Sequence, residues 1–165
     1  MWKRLSLFVL AVTLSVGFAP KESAAAFPEK TIRIIVGFRA GGSSDAAARI
    51  IGKALGKVLG VAVVVENRPG GGGRRANAKV YKSKPNGYTI LLADMPAMQI
   101  GEIGFKGKYK TLKFTMLQRF FARSHAVAVR QDSPIMSYKQ LVRESKKKRM
   151  TFSSSGIGTT SHLQY

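Results

Sequence analysis

Cysteine is absent from the 165 residues, and histidine occurs only twice. The first absence excludes disulfide bonds, thiolate metal sites and a lipid-accepting cysteine as a membrane anchor. Two histidines without clustered acids supply no metal-ligand spacing, so neither a metal nor another cofactor is expected. Acidic side chains are scarce: 8 Asp and Glu stand against 28 Lys and Arg, a formal charge of +20 at pH 7. Internal repeats are lacking, and the one low-complexity tract is Gly70 to Gly73. The apolar run Leu5 to Phe18 falls short of the ~20 residues of a membrane-spanning helix, and no later segment reaches that length.

What is present begins with an export signal. Lys3 and Arg4 precede the apolar run, and Ala24-Ala25-Ala26 supplies the small residues of a cleavage site. Residues 1–26 are therefore expected to be removed after Ala26, which places the protein in the periplasm. The remainder is long enough for one ordinary domain with a core, but too short for two full ones. It keeps most of the positive charge, which attracts polyanions without specificity. The cations are scattered apart from Arg74-Arg75 and Lys146-Lys147-Lys148-Arg149, and they do not alternate with aromatic residues as on a base-stacking platform. A solvated basic face is the expectation, no nucleic acid is expected as partner, and a basic polyanion-binding module is the alternative reading.

The rest of the sequence predicts an α/β fold. Thr31 to Val36 is β-branched and stops at Gly37, as a buried strand does. A helix follows, with Ala47, Ile50, Ile51, Ala54, Leu55 and Val58 on one expected core face and Arg49, Lys53 and Lys57 on the others. Gly60 ends it, and Val61 to Val65 starts a second strand, completing a unit typical of parallel sheets. Glu66 to Gly73 predicts a loop leading to a short helix near Ala76 to Tyr81. Pro85-Asn86-Gly87 predicts a turn, Tyr88 to Leu92 a third strand, and Gly101 to Lys113 a long surface connection. Ala126 to Val129 and Met150 to Phe152 read as further strands, with a helix between them started by a Ser137–Gln140 capping box and running to about Ser145.

Two segments, Phe38 to Asp45 and Ser153 to His162, share one design: small and hydroxyl residues leading into a helix start. Unpaired backbone N–H groups and the positive end of the helix dipole favour anions there, while glycine admits close approach. Helix capping by Ser44, Asp45 or Thr160 is the plainer reading of the same residues. Catalysis is not expected. Ser154 or Ser155 with His162 lacks the G-x-S-x-G elbow, and His125 has no evident acidic partner. Gly70 to Gly73 runs into Arg74-Arg75-Ala76 without the G-K-[ST] ending of a phosphate loop.

The ordered motifs F-x-A-G-G-x-x-D at Phe38 to Asp45, V-V-V-E-N-R-P-G-x-G-G at Val63 to Gly73, P-x-G-Y-T-x-L-L at Pro85 to Leu92, and S-x-G-x-x-S-H-L at Ser155 to Leu163 resemble those of the Bug, or TctC-like, receptors of tripartite tricarboxylate transporters. The resemblance implies a periplasmic-binding-protein-like fold of two α/β lobes that closes on a small organic acid or amino-acid-like carboxylate and passes it to membrane permease subunits. It further implies that Phe38, Ala40, Gly41, Gly42, Ser43, Ser44 and Asp45 form one jaw of the ligand site. Gly158, Thr159, Thr160, Ser161 and His162 form the other. On this reading residues 27–124 are a first lobe lacking its return strands and 125–165 the start of a second, with the boundary near Arg123 to His125. Such receptors are roughly twice as long, two lobes of ordinary domain size, which implies a chain cut short and a weakened grip. Arg39, Arg74, Arg75 and Asp94-Met95-Pro96 depart from the usual motifs, and the carboxylate of Asp94 would repel a ligand carboxylate beside it.

Overall fold

In a computed structural model of the chain, residues 27–122 and 126–163 are described. The expected signal with its cleavage point after Ala26, and the expected boundary at Arg123 to His125, lie outside them. No helix among the described residues is long and apolar enough to cross a membrane.

The centre is a parallel sheet of three strands in the order β2-β1-β3: β1 Ile32–Val36, β2 Val63–Asn67 and β3 Thr89–Leu92. Ile34 pairs with Val65 on one side and with Ile90 on the other. Ile32, Ile34, Ile35 and Val36 are all buried, as an inner strand covered on both faces requires. Helix α1, Ser43–Leu59, joins β1 to β2, and α2, Arg74–Tyr81, carries the chain from β2 past β1 to β3. Right-handed crossovers running in opposite directions put these helices on opposite faces. Ile34 and Val36 cluster with Ala48 of α1. Helix α3, Met95–Ile103, follows β3 and packs on α2.

Helix α1 turns a different side inward from the one its apolar spacing indicates. Ala48 and Gly52 are buried and Gly56 half-buried, whereas Ile50 is 72% and Val58 81% exposed. A β-carbon on Gly52 would lie 3.4 Å from Val63 and 3.5 Å from Ile34, and one on Gly56 would lie 3.0 Å from the Val61 carbonyl oxygen. Small residues allow the helix to lie this close to the sheet; Ile51 and Leu55 of the expected face are half-buried, and Ile50 and Val58 are left outside. The helix begins at Gly42 without a side-chain cap, so the expected caps Ser44 and Asp45 sit inside its first turn.

The expected surface connection from Gly101 to Lys113 has more order than its sequence suggests. Its first residues complete α3, and Thr111–Lys113 forms a 3₁₀ turn. Between them Tyr109 is 2% exposed and donates a hydrogen bond to the Met98 carbonyl at 2.9 Å. Glu102 accepts from the Thr111 N–H at 2.7 Å. Helix α4, Tyr138–Ser145, has the expected Ser137 cap, which accepts from the Gln140 N–H at 3.2 Å. In the reciprocal bond the Gln140 Oε1 accepts from the N–H of Met136, one residue before the cap, at 3.0 Å. The strands expected at Ala126 to Val129 and at Met150 to Phe152 are not formed. β-branched spacing alone cannot hold a strand without a hydrogen-bonded neighbour, and both stretches lie largely exposed. A short helix α5, Thr160–Leu163, starts at the expected place.

Candidate functional site

All three strands point their C-terminal ends into the first turns of α1, α2 and α3. Because β2 and β3 lie on opposite sides of β1, the connections diverge there, which is where open parallel sheets form a crevice. Glycine permits its tight construction. A β-carbon at Gly37 would stand 2.8 Å from the Gly73 Cα, so only glycine lets the start of α2 close on the end of β1. Gly70, Gly71, Gly72 and Gly73 all have positive φ, from 58° to 139°, a path closed to most other residues.

The first predicted segment is tied down by Asp45, which is 4% exposed. Its carboxylate accepts from Arg49 Nε at 3.0 Å, from the Gly41 N–H at 2.9 Å and from Asn67 Nδ2 at 2.9 Å. These donors, the Arg49 guanidinium first, hold its pKa well below the usual carboxylate range. Asn67 Nδ2 also donates to the Phe38 carbonyl at 3.1 Å. Asp45 thus fastens the loop to β2. Phe38 reaches Gly73, whose added β-carbon would lie 3.9 Å from the ring.

The second segment is closed on itself by hydroxyl groups. Ser155 Oγ lies 2.8 Å from Ser161 Oγ and 3.2 Å from Thr159 Oγ1, and the latter two are 3.2 Å apart. Thr159 is 3% exposed and donates to the Gly156 carbonyl at 2.6 Å. His162 Nδ1 accepts from the Gly158 N–H at 3.3 Å. That nitrogen is occupied by the backbone, and the Ser155 hydroxyl is bonded to other hydroxyls rather than to His162, so the two are not arranged as nucleophile and base. The segment rests on the glycine run: a β-carbon at Gly72 would lie 3.0 Å from the Ile157 carbonyl oxygen and 3.4 Å from Gly158.

Gly72 and Gly73 therefore touch both predicted segments, one through Gly158 and the other through Phe38. A narrow recess open to solvent lies beside them, lined by Gly37, Phe38, Gly72, Gly73, Asn77, Leu92, Asp94, Ala97 and Met98. Of the predicted ligand residues only Phe38 lines it. Ala40 to Asp45 and Gly158 to His162 stand outside its wall. Asp94, foreseen as an obstacle, is the N-cap of α3 and accepts from the Ala97 N–H at 3.5 Å. Asn77, 5% exposed and part of the recess wall, was not foreseen. Asn67 stood within a recognised motif, but its part as clamp depends on Asp45, 22 residues away. Among the described residues no group of His, Cys, Asp and Glu is placed to hold a metal.

The family model described as tripartite tricarboxylate transporter family receptor matches residues 47–165. A UPF0065 protein from the gbd 5′ region of Cupriavidus necator is 30% identical over 94% of this chain and 49% of its own length. Among solved structures, a periplasmic transporter superposes with a TM-score of 0.73 at 33% identity, over 84% of this chain and 48% of that one. The periplasmic binding protein BugD superposes with a TM-score of 0.61 at 26% identity, over 83% of this chain and 47% of its own. The chain thus spans about half the length of the relatives it matches, and its parallel sheet and helices correspond to one lobe of their fold.

Proposed function

The chain belongs to the tripartite tricarboxylate transporter receptor family, and from that premise we propose that it binds a small carboxylate metabolite in the periplasm for delivery to membrane permease subunits. Residues 27–124 act in this reading as one lobe and 125–165 as the start of a second, and closing the two around the ligand is the mechanism. Its role is capture without turnover.

The observation that supports it most is the meeting of Phe38 to Asp45 and Gly158 to His162 on Gly72 and Gly73, at the C-terminal edge of a parallel sheet. Gly41 gives its N–H to Asp45, and the start of α1 presents the backbone N–H groups and hydroxyls of Ala40, Gly42, Ser43 and Ser44. Thr160 places a hydroxyl at the start of α5, beside those of Thr159 and Ser161, which are bonded to Gly156 and Ser155. Such donors suit a carboxylate and impose no fixed charge of their own. Asp45 serves by orientation, since its oxygens are committed to Arg49, Gly41 and Asn67.

Calorimetric titration with small mono- and dicarboxylates, and with their methyl esters, tests the proposal. Saturable binding that the esters lack and that changes little with salt is expected. Binding only to polyphosphate, weakening steeply as salt rises, identifies a polyanion module and overturns it.

A further inference from the structure

The solvent side of α1 carries no acidic residue. From Ala46 onward its exposed positions within the helix are Ala46, Arg49, Ile50, Lys53, Ala54, Lys57 and Val58. They form two parallel rows at four-residue steps. One is apolar, Ala46-Ile50-Ala54-Val58, and extends ~18 Å at the rise of an α-helix. The other is cationic, Arg49-Lys53-Lys57. The acid of this helix, Asp45, is turned inward and 4% exposed.

A helix covering a sheet ordinarily presents a polar outer face laced with opposite charges. Here Arg49 is paired with Asp45 beneath it, but Lys53 and Lys57 follow at four-residue spacing with no acid beside them on the helix, while Ile50 and Val58 stand 72% and 81% exposed. Both features are unfavourable in water, and both are relieved against a surface that is anionic and apolar beneath. A second copy of the chain does not meet that need, because it would set Lys53 and Lys57 against their own equivalents. An acidic protein helix meets the charge. However, the two rows contain no hydrogen-bond acceptor and no uncharged polar side chain to fix its register. The face reads only charge sign and apolarity, which a laterally uniform lipid surface supplies.

We propose that the outer face of α1 docks the protein flat on an anionic lipid surface. The rows run along the side of the helix, so the loops at its N-terminus stay uncovered. Docking and ligand capture are therefore compatible, and the inference does not depend on the identity of the ligand.

Vesicle co-sedimentation tests it, using phosphatidylcholine alone and phosphatidylcholine mixed with phosphatidylglycerol. The protein should bind the mixed vesicles and not the neutral ones. K53Q/K57Q should weaken binding by about tenfold or more, since each lysine near such a surface contributes substantially. I50S/V58S should weaken it with the charge unchanged, and K146Q/K147Q/K148Q should weaken it less than either. The lack of native cysteine allows a polarity-sensitive fluorophore on A54C, whose emission should shift to the blue on mixed vesicles only. Three results would overturn the proposal. These are α1 variants that bind as the parent does, an A54C probe that shows no shift, and an acidic helical peptide that binds this face while the mixed vesicles do not.

Discussion

Asn67, at the end of β2, and Asp45, in the first turn of α1, are joined by a 2.9 Å hydrogen bond from Nδ2 to Oδ1. The same amide nitrogen holds the Phe38 carbonyl at 3.1 Å. One side chain therefore fixes both ends of the loop proposed to receive the ligand.

Replacing Asn67 with Ala leaves the largely buried Asp45 and the Phe38 carbonyl each short of a donor. A loss of about 1 to 3 kcal/mol is expected, the range for a buried polar group left unsatisfied. Denaturant unfolding measures it, and slower carboxylate capture should accompany it. An unchanged midpoint would show that water replaces the amide without penalty.

The depressed pKa of Asp45 makes stability depend on acid. The folded state favours its ionised form, so the contribution is fully present above the ordinary carboxylate range and is lost as pH falls through that range toward the folded value. Glu102, held low by the Thr111 N–H, acts in the same direction. The thermal midpoint should fall on acidification below about pH 4. In Asp45→Asn it should start lower and fall less steeply, and a parallel decline in both proteins would remove Asp45 as a cause.

Gly37 and Gly42 should respond unequally to alanine. At Gly37 the new β-carbon would stand 2.8 Å from the Gly73 Cα, backbone against backbone, whereas at Gly42 the nearest atom is the Arg39 carbonyl oxygen at 3.6 Å. Gly37→Ala is expected to cost about 1 to 3 kcal/mol, as overpacking does. Gly42→Ala, at φ −81°, should lie within about 0.5 kcal/mol of the parent. Paired thermal melts decide the matter, and equal effects would contradict the tight closure of α2 on β1.

Ser43 is the first residue of α1, a position where proline is well tolerated, and the extended Gly42 before it suits a following proline. Ser43→Pro removes one N–H and one hydroxyl from the proposed ligand loop while keeping the helix. Carboxylate affinity measured by calorimetry should fall about tenfold or more, in line with a lost charge-assisted hydrogen bond. A parallel thermal melt separates loss of the ligand loop from loss of stability. Full affinity in this variant would take the start of α1 out of the site.

The amino-acid sequence by itself determined the succession of strand, helix and strand, because β-branched runs ending in glycine leave little choice of local structure. Its ordered motifs also marked both segments that meet on Gly72 and Gly73. Three matters were decided only by the tertiary structure. The side of α1 that faces the sheet is set by how near the backbones come, so Ala48, Gly52 and Gly56 fit against Val63 and Ile34 where Ile50 and Val58 do not. Strand formation at Ala126 to Val129 requires a neighbour that local composition cannot provide. The work of Asp45 depends on Asn67 and Gly41 arriving beside it. Periodicity records how water-averse each residue is, whereas burial depends on which surfaces fit together, and that is settled only when distant parts of the chain meet.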